Sequence, residues 1–122
     1  VETAQESSNS TTFELELAES SPEAADLAVG VAASLGAGNV AAGIAMAMAI
    51  PGQRQAVHRW QEALAALAAA QPGQASPRRP GREAVRITAH RQQVTVTRSG
   101  DVQVLEAGVS LADAMAALGP PG

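Results

Sequence analysis

The chain predicts an α+β fold: a small three- to four-stranded, mainly antiparallel sheet packed on one face by two to four helices. Three observations carry this. Alternating apolar residues at 13–17 and again between 85 and 105 have the two-residue period of strands, and apolar residues at 57, 60, 64 and 67 have the three-to-four spacing of a helix. Proline and glycine pairs punctuate the chain between these patterns. At 122 residues there is room for one core, so residues 13–119 are expected to form a single domain.

Residues 1–12 are polar and acidic and hold too little apolar surface to offset the entropy of ordering, so a disordered acidic tail is expected there. They have no cationic start and no apolar core, and a secretory signal is not expected in the chain as it stands. Phe13, Leu15 and Leu17 alternate with Glu14 and Glu16, which predicts a strand with one wet face. Ser21 followed by Pro22 and Glu23 predicts a helix start, with a serine cap, proline at the first helical position and an acid in the first turn. Leu27, Val31 and Leu35 continue that helix, and Gly36-Ala37-Gly38-Asn39 is expected to end or kink it.

Residues 27–50 form the most distinctive run. It has no charged side chain, and Ser34 and Asn39 are its only polar members. Its length suffices to span about 30 Å as a helix, yet alanine and glycine contribute little to insertion. A buried helical hairpin is therefore the first reading and membrane insertion of 27–50 the alternative. Within the run, residues 40–50 are assigned to helix on their alanine and methionine content, although Ile44, Met46, Met48 and Ile50 also alternate as in a strand.

Residues 53–70 predict an amphipathic helix with Val57, Trp60, Leu64 and Leu67 on its apolar side, stopped by Gln71-Pro72-Gly73. A proline- and arginine-rich loop over 72–82 follows. Val85, Ile87 and Ala89 share one parity and Val94 and Val96 the other, so a turn between 90 and 93 is needed to face both sets inward. Ser99-Gly100-Asp101 is a second turn. Ser110 with Asp113 three residues on caps a last short helix carrying Leu111, Met115 and Leu118, ended by Gly119-Pro120-Pro121.

Composition narrows the chemistry. There is no cysteine, hence no disulfide and no thiolate. The net charge of −4 is unevenly spread: Glu2, Glu6, Glu14, Glu16, Glu19, Glu23 and Asp26 precede the uncharged run, and all eight arginines follow it. Basic side chains are arginine throughout, with abundant alanine and glycine, a bias of high-GC bacterial coding. The apolar residues are mostly alanine and the aromatics are Phe13 and Trp60 alone, so the core is thin. A partner protein or a second copy of the chain would supplement it.

No residue set has the spacing of a catalytic or metal site. His58 and His90 lack a defined third ligand. Glu14 and Glu16 share the outer face of a strand, where carboxylates solubilise. Gly36-Ala37-Gly38 lacks the order and the lysine of a phosphate loop. Arg78, Arg79, Arg82, Arg86 and Arg91 could meet phosphate, but without aromatic platforms a solvated linker or a docking strip for an acidic protein surface is favoured over nucleic acid. The chain is thus expected to be non-enzymatic, to use no cofactor or metal, and to act in a bacterial cytoplasm as an interaction or adaptor module. Trp60, Arg78, Arg79 and Arg82 are its candidate partner-binding residues.

The stretch 93–107, Gln-Val-Thr-Val-Thr-Arg-Ser-Gly-Asp-Val-Gln-Val-Leu-Glu-Ala, together with the opening strand at Phe13 and the small-residue helices leading to Trp60, resembles the effector-associated constant component proteins of actinobacterial conflict systems. The resemblance implies a small α+β protein without catalytic residues that couples an effector to other parts of a defence or signalling system. It carries over no functional residue.

Overall fold

The computed structural model describes residues 10–77 and 85–119. In chain order these form β1 (Ser10–Ser20), α1 (Pro22–Ala41), β2 (Ala45–Ala49), α2 (Trp60–Ala69), β3 (Val85–Arg91), β4 (Gln93–Arg98), β5 (Asp101–Glu106) and α3 (Leu111–Leu118). The strands make one sheet in the order β2-β1-β3-β4-β5. The class is α+β as the pattern predicts, but the sheet has five strands and is mixed. β1 runs parallel to both neighbours, with Phe13 beside Met48 and Val85, while β3, β4 and β5 form an antiparallel meander.

The fifth strand and one of the two parallel pairings arise in the uncharged run, which is not a helical hairpin. α1 passes through Gly36 and Gly38 to Ala41, the chain turns at Gly43 with φ +75°, and residues 45–49 become a strand. α1 survives its glycines because Gly36 is where the Trp60 ring lies against the helix: a Cβ there would stand 2.5 Å from the ring. The Ala-Met alternation that follows is the two-residue period of β2, with Met46 and Met48 buried. A helix between β1 and β2 makes their pairing parallel, since two strands joined through a helix on one face run the same way. β1 also begins at Ser10, so the strand takes in 10–12 of the expected tail; the rest of that tail, 1–9, lies outside the described residues.

α1 begins as its sequence predicts: Ser21 accepts a hydrogen bond from the Ala24 amide and Pro22 opens the helix. Its inner face packs on β1, β2 and β3 and against α2 and α3, while Glu23, Asp26 and residues 37–38 and 40–41 are exposed. Ala24, Ala28, Val31 and Ala32 are fully buried. Their small side chains let the helix sit close to the sheet.

α2 is shorter than the predicted 53–70 helix. Residues before Trp60 belong to a turn at Pro51-Gly52 and to a bridge in which Val57 and Met48 exchange backbone hydrogen bonds of 2.8 Å. The buried face of α2 is Ala63, Ala66 and Leu67, and Leu64 is largely exposed. The last third follows expectation. Arg91 at φ +56° and Gln92 make the β3–β4 turn, Ser99 and Gly100 at φ +52° and +85° make the β4–β5 turn, and Ser110 caps α3 by accepting from the Asp113 amide. Phe13, Leu15, Leu17, Met48, Ile87, Val94, Val96 and Leu105 supply the sheet side of one core.

Candidate interaction surface

With the helices gathered on the face that carries Phe13, Leu15 and Leu17, the other face of the sheet displays the alternate residues. Register fixes which they are. Glu14 stands between Ala49 and Arg86, Thr88 opposes Thr95, and Thr95 and Thr97 oppose Val104 and Val102.

This face has two unlike halves. Over the β1 half lies the segment 71–77, tied down by the Gly73 amide donating to the Leu17 carbonyl (2.8 Å), the Gly52 amide to the Ala75 carbonyl (3.2 Å) and the Ser76 hydroxyl to Glu16 Oε1 (3.1 Å). Beneath it the Glu14 side chain is only 17 % exposed; its Oε1 is 3.4 Å from Arg86 Nε, and its Oε2 is buried without a hydrogen-bond partner. Farther along, Glu19 and His90 make a 3.4 Å contact between side chains that are mostly in water, where ion pairs contribute little.

The β4–β5 half is bare among the described residues. Thr95 and Thr97 are half-buried, and Val102 and Val104 are 60 % and 55 % exposed, the most exposed large apolar side chains among the described residues. The two-residue turn explains their position. Pairing Arg98 with Asp101 joins even-numbered residues of β4 to odd-numbered ones of β5, so Leu105 and Gln103 go inward opposite Val94 and Val96, and the two valines go outward. That signal was available in the sequence: a two-residue Ser-Gly turn fixes the register, and the register fixes the face.

The residues singled out from the sequence do not converge. Trp60 stands at the start of α2, half-buried, its ring against Gly36 and the core, where it anchors α2 to α1. Arg78, Arg79 and Arg82 lie outside the described residues, as does most of the proline- and arginine-rich loop; the described chain resumes at Val85 beside Phe13. His58 is exposed in the loop before α2 and His90 at the end of β3. Among the described residues no group of three or more His, Asp or Glu could hold a metal ion. Gly36-Ala37-Gly38 sits inside a helix, not at a helix start where amides would face an anion. A shallow, open groove of about 330 Å³ lies between residues 53–57 and α2, lined by Gln53, Val57, Glu62, Ala65, Ala66 and Ala69.

No family model, no curated protein and no solved structure matches this chain.

Proposed function

We propose that this protein is a non-enzymatic interaction module that docks another protein, an adaptor that couples an effector to other components of a bacterial conflict or signalling system. The observation that carries the docking reading is the outward valine pair, Val102 and Val104, at the bare end of a sheet whose other face is filled by helices. Exposed apolar side chains set side by side on a strand, and rimmed by threonines, have the chemistry of a surface that a partner covers. The likeness of residues 93–107 to effector-associated constant component proteins supports the coupling role, and the cytoplasmic setting follows from that same reading. The Arg78, Arg79 and Arg82 segment offers positive charge to an acidic partner.

The membrane alternative would draw on α1, which is long and apolar enough by length and composition to cross a bilayer; 39 % of that stretch is buried inside the fold. Residues 27–50 are otherwise shared between this helix, a turn and β2. The buried face of α1, from Ala24 to Gly36, packs on the sheet and gives that part of its apolar character a role without a bilayer.

Proximity labelling in the native host, followed by reconstitution with each labelled protein in purified form, tests the adaptor reading. One purified protein is expected to bind the wild-type chain, and Val102→Lys/Val104→Lys is expected to weaken it about tenfold or more, the range of a central apolar contact. Arg78→Glu/Arg79→Glu measures the share of the basic segment. If no purified protein of different sequence binds, the adaptor reading fails.

A further inference from the structure

The two edges of the sheet are finished differently. The outer edge of β2 is taken by the chain itself, through the two 2.8 Å hydrogen bonds between Met48 and Val57 and the buried Pro51 that follows β2. At the opposite edge β5 is the last strand, and no described residue pairs with its outer side. Proline, lysine and inward-pointing charge are the usual protections of such an edge, and the centre of β5, Val102-Gln103-Val104-Leu105, has none of them.

What this edge offers follows from the ladder. The Ala107 amide donates to the Gln92 carbonyl at 2.8 Å, which marks the odd-numbered residues of β5 as those bonded to β4. By the alternation of an antiparallel pair, the amides and carbonyls of Val102, Val104 and Glu106 point away from the sheet. Three residues in a row at every second position thus present free backbone donors and acceptors, and two of them carry the exposed valines.

We propose that two copies of this chain pair antiparallel through β5 and extend the sheet across a two-fold axis, a proposal that rests on the reading of the protein as an interaction module. An isologous pair requires the same strand to be complementary to itself, and β5 meets that condition. Residues with outward backbone groups must face one another, so even-numbered residues oppose even-numbered ones. The best-matched register sets Val102 against the partner copy's Val104 twice over, with Gln103 on the axis. Four valines then form one ridge on the open face, bordered by Thr95 and Thr97 of each copy. Glu106 meets the partner copy's Gly100, whose missing side chain leaves room for the carboxylate. The other well-overlapped register would set Glu106 against Val102 instead.

Charge permits the pairing. Asp101 and Glu106 lie on opposite faces of β5, so in these registers neither carboxylate is set against the other, and like charges directly opposed are what would destabilise the ladder. The interface is short, at the low end of the range below about 1,200 Å², so the dimer forms and dissociates with concentration.

Sedimentation velocity of the full chain from low micromolar to near-millimolar concentration tests this. The expected result is a rise from monomer to dimer mass. Val104→Pro removes one outward amide and spares the β4 ladder, and is expected to weaken association about tenfold or more. Should that variant lose its far-UV circular dichroism, Val104→Lys carries the same expectation without touching the backbone. Because the chain has no cysteine, single replacements report the register. On the axis the two Cα atoms of a Gln103→Cys pair stand about 4.5 Å apart, within disulfide reach. Gln103→Cys is therefore expected to cross-link under diamide, which takes up the two thiol hydrogens, faster than Val104→Cys. A monomer at every concentration, an unweakened Val104 variant, or faster cross-linking of Val104→Cys overturns the proposal. A monomer that still binds a purified partner leaves the adaptor reading standing, and a dimer that binds no other protein leaves this inference standing alone.

Discussion

A methyl group added to Gly36 would stand 2.5 Å from Trp60 Cζ3, 2.9 Å from Cη2 and 3.3 Å from Met48 Cε, while one added to Gly38 would meet nothing within 4 Å. The two glycines are two residues apart in one helix, so their backbone terms are alike and their surroundings decide the outcome. Alanine is worth about 0.5–1 kcal/mol over glycine inside a helix. Overpacking a filled site costs about 1–3 kcal/mol. Gly38→Ala is therefore expected to raise stability by up to about 1 kcal/mol, and Gly36→Ala to lower it by about 1–2 kcal/mol with a red shift of Trp60 fluorescence, both read from urea midpoints. Equal effects of the two replacements would show that the ring does not rest on α1. From sequence, the glycine pair reads as a helix break, because the partner that makes one of them necessary lies at position 60.

α3 shows how much of an element can be local. Its start was legible in Ser110 and Asp113 and its stop in Gly119, and both appear in the fold. What the sequence did not disclose is the far end: Arg98 Nη2 donates to the Leu118 carbonyl at 2.6 Å and Gln103 Nε2 to the Ala117 carbonyl at 3.1 Å, two side chains of the β4–β5 hairpin satisfying a helix terminus. An eight-residue helix does not persist alone in water. Ser110→Ala is expected to cost about 1 kcal/mol, and Arg98→Met about 1–3 kcal/mol, as the loss of a charged hydrogen bond does. Hydrogen exchange would register both as faster exchange in 111–118; unchanged protection there would refute these cap assignments. β2 was hidden for the opposite reason. Alanine and methionine favour helix when alone, and only the bare side of β1 makes residues 45–49 a strand.

At the scale of the whole molecule, class and meander were legible because they rest on period and turns, both written in adjacent residues. The mixed sheet was not, because parallel pairing is a long-range choice. Phe13, Leu15, Leu17, Met48, Ile87 and Val31 share one continuous interior, so a single transition is expected. Urea unfolding followed by Trp60 fluorescence and by far-UV circular dichroism should give coincident curves; an earlier fluorescence transition would mean that α2 comes away as a separate unit. Leu17→Ala, which empties a fully buried site between sheet and α1, is expected to cost about 2–5 kcal/mol and to shift both curves together.

The central place of β1 bears on how the chain reaches its final form. One side of β1 finds its neighbour once residues 45–49 exist, but the other side must wait for Val85 and the residues after it. On a ribosome residues 10–49 would therefore be made with β1 unfinished on one flank, and closing so long an excursion is slow. The nascent chain is at its most vulnerable to aggregation in that interval. Synthesis of β3, the first strand of the meander, is what ends it.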